Sequence, residues 1–232
     1  MSDETFVFQL RNPYTMMVAG PSKSGKTKFV GRVLTNAKHI YTKKPGRVFY
    51  FYNQAEPKYP EVRNHVDEFI EGMPSMKWLD EAYEEHGDNM TIVIDDQALN
   101  ITKDIAEIFS VGSSRRNCNV IFITQNLFGK KKEARDISVN CNYIVIFKNP
   151  RDMNAVQTFF RQHSPTNAKA LTEMYEEATE EPFSYLFIDL TQQTHSKNRY
   201  LSRIFGEKVE HEQDEKDTIE EEDFLPPILW RL

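Results

Sequence analysis

The segment Gly20-Pro21-Ser22-Lys23-Ser24-Gly25-Lys26-Thr27 fits the pattern G-x-x-x-x-G-K-S/T, a loop whose backbone N–H groups wrap a chain of phosphates. The pattern constrains the fold as well as the ligand, because it works only between a buried strand and the N-terminus of a helix. Both flanks comply. Met16-Met17-Val18-Ala19 is an apolar run of strand length, and Lys28 to Leu34 carries apolar residues at helical spacing. Gly20 and Gly25 let the backbone turn tightly and approach an anion, while the helix end supplies unpaired N–H groups and a favourable dipole. In that arrangement Lys26 reaches the β- and γ-phosphates of ATP and Thr27 ligates Mg²⁺. The alternative is a Gly/Ser turn that merely caps an ordinary helix.

Further strand candidates alternate with helical stretches: Thr15 to Ala19, Arg47 to Tyr52, Met90 to Asp95, Asn119 to Thr124, Tyr143 to Phe147 and Ser184 to Asp189. Such alternation predicts an α/β fold, a mostly parallel sheet with helices on both faces. Phe6 to Phe8 and Tyr200 to Ile204 are candidate edge strands, and helical patterns are expected over Val62 to Ile70 and Trp78 to Glu85.

The Met90 to Ile94 run delivers Asp95 and Asp96 at a strand's C-terminal end, where open α/β sheets place ligands. Asp95 is expected to hold Mg²⁺, directly or through water, and Asp96 to orient or deprotonate the attacking water. Adjacent acids after a strand are also common in plain loops. The strand Asn119 to Thr124 ends in Gln125, either a sensor of the γ-phosphate or simply a polar strand end. In the loop that follows, Lys130, Lys131, Lys132 and Arg135 are candidate contacts to a DNA backbone, against the plainer reading of a solvated turn. Arg115 and Arg116, just before the same strand, are candidates for an arginine finger acting on a neighbouring subunit, or for caps on their own helix. The spacing does not choose between the two arginines.

At 232 residues the chain suits one domain, expected over 1–205. The net charge of −6 is misleading, because Glu207 to Asp223 holds ten acids against Lys208 and Lys216. The remainder is slightly positive, so DNA binding is not excluded, and 206–232 reads as an acidic, flexible tail. The tail ends in the hydrophobic peptide Phe224 to Leu232. That peptide either docks on a partner or folds back on the body. Cys118 and Cys141 lack ligand-spaced neighbours and read as core thiols. No apolar run approaches a membrane span, and Met1-Ser2-Asp3-Glu4 lacks the order of a secretory signal, so a reducing, intracellular compartment is expected.

Three strings carry a resemblance: Val120 to Phe128, reading VIFITQNLF; Ile144 to Asp152, reading IVIFKNPRD; and Tyr185 to Leu190, reading YLFIDL. With the phosphate loop, they resemble the DNA-packaging ATPases of Polinton-type and related double-stranded DNA viruses. These are relatives of the poxvirus packaging ATPase in the RecA-like FtsK/HerA superfamily of P-loop NTPases. The likeness runs from about Phe6 to Phe205. It implies that the Gln125 strand is inserted between the phosphate-loop strand and the acidic strand. It also implies a Mg²⁺-dependent ATPase that pumps double-stranded DNA into a capsid, usually as a homo-oligomeric ring, in the host cytoplasm or nucleus or associated with the virion. The terminal peptide would then suit a capsid or portal partner. Many FtsK/HerA proteins carry Glu as the second acid, where this chain has Asp96. Arg151 and Arg161 are further candidates for contacts between subunits, or for structural ion pairs within the chain. The rival functions are a cellular HerA-like helicase or translocase, a small-molecule nucleotide kinase, and a nucleotide-dependent switch. No Asn-Lys-x-Asp string supports the last, and no arginine-rich lid supports the kinase.

Overall fold

A computed structural model of the chain describes residues 8–53, 60–95, 101–127, 132–205, 207–208, 224–225 and 228–230. In chain order its elements begin with strand β1 (Thr15–Ala19), helices α1 (Lys26–Thr35) and α2 (Ala37–Ile40), and strand β2 (Arg47–Tyr52). Helix α3 (Pro60–Arg63), strand β3 (Glu68–Glu71), helix α4 (Met76–His86) and strand β4 (Met90–Asp95) follow. Helix α5 (Lys103–Glu107) runs through a π-helical segment (Ile108–Gly112) into α6 (Ser113–Arg115), which leads to strand β5 (Asn119–Thr124). Next come α7 (Lys132–Val139), β6 (Tyr143–Phe147), α8 (Met153–His163), α9 (Ala168–Ala178) and β7 (Tyr185–Asp189). The chain closes with β8 (Tyr200–Ser202), β9 (Glu207–Lys208), β10 (Phe224–Leu225) and β11 (Ile228–Trp230).

The main sheet has the order β11-β8-β7-β6-β1-β5-β4-β2-β3. The strands from β6 to β3 in that order are mutually parallel, while β7, β8 and β11 add antiparallel steps on one side. β5 lies between β1 and β4, in register from Thr15↔Val120 to Ala19↔Thr124 on one side and Asp95↔Ile123 on the other. The central strands are apolar at nearly every position because both faces are covered. Met17, Phe49, Ile92, Val120 and Ile144 pack on one face with α4, α5, α8 and α9. Met16, Tyr50, Val93, Ile121 and Val145 pack on the other, with α1 and α2. Strand alternation therefore sends Thr91, Val93 and Asp95 toward the α1 face.

The expected helix over Val62 to Ile70 is not formed. Only Pro60–Arg63 is helical, and Glu68–Glu71 pairs in parallel with β2 as an edge strand. Asp67 sets that pairing, its carboxylate accepting from the Val48 N–H at 2.8 Å while its own N–H donates to the Val48 carbonyl at 2.9 Å. The Phe69 ring packs on Tyr50, with centroids 5.6 Å apart. At the other margin, β11 pairs with β8 from Ile228↔Ser202 to Trp230↔Tyr200, and the Trp230 indole N–H donates to the Ser202 hydroxyl. The end of the hydrophobic peptide thus lies on the body. Of the candidate strand Phe6 to Phe8, residues 6 and 7 lie outside the described residues, as does most of 206–227. Both cysteines are buried and free. Among the described residues, no helix is long and apolar enough to cross a membrane.

Candidate active site

The phosphate-type loop leaves β1 at its C-terminal end and enters α1 at Lys26. It is anchored to the neighbouring strand by the Gly20 N–H, which donates to the Thr124 carbonyl at 3.2 Å. Gly20 is required by packing: a Cβ there would lie 2.7 Å from the Phe147 Cβ and 2.9 Å from the Ser24 hydroxyl. Gly25 is required by conformation, with φ +105° immediately before the helix. Lys23 is also left-handed, with φ 64°.

Lys26 curls back over the loop, its ammonium donating to the carbonyls of Gly20 (2.7 Å) and Pro21 (2.8 Å). Burial pushes its pKa below that of an ordinary lysine, and the Asp95 carboxylate partly opposes the shift. The Ser24 hydroxyl is buried with no hydrogen-bond partner among the described residues. A buried cation and an orphaned hydroxyl inside a loop of N–H donors fit an anion of several oxygens. The cleft beside the loop has a volume of about 690 Å³ and is lined by residues of the loop and α1 from Ser22 to Arg32 together with Phe147, Phe183 and Tyr185, the first two of which lie against Gly25.

Asp95 ends β4 two strands away and faces the same helix. Burial raises its pKa, while hydrogen bonding from Tyr50 and the charge of Lys26 pull it down. The Tyr50 phenol donates to Asp95 Oδ2 at 2.6 Å. Burial and the adjacent carboxylate hold this phenol protonated. Thr27 and Asp95 are the side chains here that could hold a metal ion. Among the described residues no group of three or more His, Cys, Asp or Glu could do so. A cation at this point would need oxygens from the bound anion as well, as Mg²⁺ commonly does.

Gln125 follows β5 directly and is half-buried, at the same end of the sheet as the loop and Asp95. Asp96, Lys130 and Lys131 lie outside the described residues. Lys132 begins α7 and Arg135 is exposed on it. Arg115 and Arg116 lie at the opposite end of the sheet, before the first residue of β5. Five residues of β1 at about 3.3 Å each separate them from this chain's own loop. Arg116 is engaged, pairing with Asp80 and donating to the Gly112 carbonyl. Arg115 is exposed and has no hydrogen-bond or ion-pair partner among the described residues.

Tyr50 and Phe183 were not singled out by motif or spacing. Tyr50 looks like any aromatic in an apolar strand, and its role follows only from pairing β2 with β4. Phe183 sits in a turn with no motif of its own. The one local signal was a Pro182-Phe183 step between two acids and a strand.

No protein-family model matches the chain, and no curated protein matches it. Among solved structures, it is similar to the genome packaging NTPase B204 from Sulfolobus turreted icosahedral virus 2. The complex with AMPPCP is 14% identical, with 78% of this chain and 94% of that one covered at a TM-score of 0.51. The complex with ATP-gammaS is 13% identical over the same shares, with a TM-score of 0.50. At such identities the likeness is one of fold: this chain has a P-loop NTPase fold, with a mostly parallel sheet and helices on both faces.

Proposed function

We propose that this chain is an ATP hydrolase that drives double-stranded DNA into a viral capsid as a homo-oligomer, a packaging motor of the FtsK/HerA type. The observation that carries the reading is the convergence of Lys26, Thr27 and Asp95 at one end of the sheet, with Gln125 directly after the strand between them. B204, named a genome packaging NTPase, shares the fold and has been seen with ATP analogues, which supports the choice of ligand and task.

In this reading the loop's N–H groups and Lys26 bind the β- and γ-phosphates, and the Lys26 ammonium exchanges its two carbonyl contacts for phosphate oxygens. Thr27 and Asp95 would hold Mg²⁺, which neutralises charge on the phosphates when bound. Tyr50 keeps Asp95 in one rotamer and leaves its second oxygen for the metal side. Asp96 is proposed to orient the attacking water, and Gln125 to sense the γ-phosphate and pass its loss to the segment containing Lys130, Lys131, Lys132 and Arg135. The acidic tail, held to the body where Ile228 to Trp230 pair with β8, is proposed to engage a capsid or portal protein.

Measuring ATP turnover with and without duplex DNA tests the reading. Turnover stimulated by DNA and abolished by Lys26→Ala is expected. Turnover indifferent to DNA at every salt concentration would leave an NTPase with another task.

A further inference from the structure

Phe183 breaks three rules at once. The residue is 69% exposed, its backbone is left-handed with φ 64°, and it lines the cleft beside the phosphate loop. An aromatic residue is disfavoured in that backbone region and persists there only where its surroundings hold it. They do so from both sides. The Lys148 ammonium donates to the Glu180 carbonyl at 2.7 Å, and both the N–H and the hydroxyl of Ser184 donate to the Glu181 carbonyl. The turn is thus tied down around an exposed ring.

Arg32 lines the same cleft, six residues into α1 from Lys26 and about 9 Å along the helix axis. Its guanidinium is seated 4.5 Å above the Phe205 ring, so the planar cation has a defined place. The distance from the loop is one that a ribose and a single phosphate span. Aromatic rings and guanidinium planes both bind flat π-systems by their faces.

We propose that Phe183 and Arg32 form a nucleobase site that holds a purine by its faces and leaves its edges unread. The inference rests on the nucleotide reading of the cleft. Among the described residues no amide or carboxylate side chain lines it, and the Tyr185 hydroxyl is held toward the backbone by accepting from the Ile204 N–H. Strong discrimination between adenine and guanine requires polar groups aimed at the base edge. The site therefore takes ATP and GTP with affinities within about tenfold of each other, and the smaller pyrimidine triphosphates less well.

The test is equilibrium binding of ATPγS with Mg²⁺ to the full chain, with inorganic tripolyphosphate as a competitor that has phosphates but no base. Phe183→Ala should weaken ATPγS about 5- to 160-fold, the range expected for loss of one aromatic stacked on a base. Phe183→Trp should retain wild-type affinity or better. Tripolyphosphate should compete equally well with wild type and with Phe183→Ala. Unchanged ATPγS affinity in Phe183→Ala overturns the base site, and so does an equal loss of ATPγS and tripolyphosphate, which would mean that the turn only supports the loop. A wild-type chain that binds neither compound overturns the nucleotide reading itself, a distinct result.

Discussion

Tyr50 shows how much of a site can hang on one residue in the middle of a strand. Its phenol is buried and donates to Asp95, so removing the hydroxyl alone frees that carboxylate while leaving the ring packed. Outer partners of a metal ligand typically contribute 10- to 100-fold in metal affinity. Tyr50→Phe should therefore weaken Mg²⁺ binding to the ATPγS complex by about that factor and leave ATPγS binding in EDTA unchanged, as titration calorimetry would report. Gly20 makes the opposite point, since there the cost is steric. Gly20→Ala inserts a Cβ against Phe147 and Ser24, an overpacking of about 1–3 kcal/mol. A melting temperature lowered by several degrees, together with lost nucleotide binding, is the expected outcome. The thiols give a check on burial that is independent of catalysis. Burial pushes the Cys118 thiol up to about 12 and raises that of Cys141 as well. Because the thiolate is the reactive form, roughly one Cys118 in 10⁴ is reactive at pH 8, and the fraction rises with pH. Ellman's reagent should therefore find neither thiol in the native chain at pH 8, and both after denaturation.

At the level of elements, the centre of the sheet was easier to read than its margins. A strand buried on both faces has to be apolar throughout, so β1, β2, β4, β5 and β6 stand out as runs bounded by polar residues. An edge strand has no such requirement. Glu68-Phe69-Ile70-Glu71 satisfies a helical spacing as well as a strand, and the open flank of β2 decides the matter through Asp67. The same asymmetry governs the site. The loop and Asp95 are legible because each is a short pattern on one element, whereas Tyr50 and Phe183 come close to them only through strand pairing and turn geometry. The C-terminal strand provides a test. Ending the chain at Phe205 removes the half-buried Ile228 to Trp230 and uncovers the β8 edge. A loss of about 1–2 kcal/mol from that apolar contact should lower the melting temperature by ~2–8 °C. The uncovered edge should also promote association at high concentration. ATP turnover should survive, because β8 is separated from β1 by β7 and β6. Failure to fold would assign the C-terminal peptide to the core.

The whole molecule is polar, and its polarity sets how copies can cooperate. Lys26, Thr27, Asp95 and Gln125, the described residues of the proposed nucleotide site, lie at the C-terminal end of the parallel strands, while Arg115 lies at the other end, beyond reach of its own loop. A cation there meets a nucleotide only if copies contact head to tail, the heterologous arrangement that closes into rings. The two arginines should then part company. Arg116 is tied to Asp80 and the Gly112 carbonyl, so Arg116→Ala should act mainly on stability. Arg115 is free to act on a neighbour, and an arginine that stabilises a phosphoryl transition state contributes roughly 10³- to 10⁵-fold in turnover. Arg115→Ala should therefore abolish measurable turnover with little change in ATPγS affinity, and Lys26→Ala should abolish both. Mixed together, the two inactive variants should regain activity, since a Lys26→Ala subunit can offer its intact Arg115 to the intact loop of an Arg115→Ala neighbour. Wild-type turnover per chain should likewise rise with protein concentration as copies assemble. If mixed assemblies form, as shown by differential tagging, and no ratio restores hydrolysis, then Arg115 does not act between subunits and the charge facing the nucleotide must come from elsewhere, with Arg151 and Arg161 the next residues to substitute.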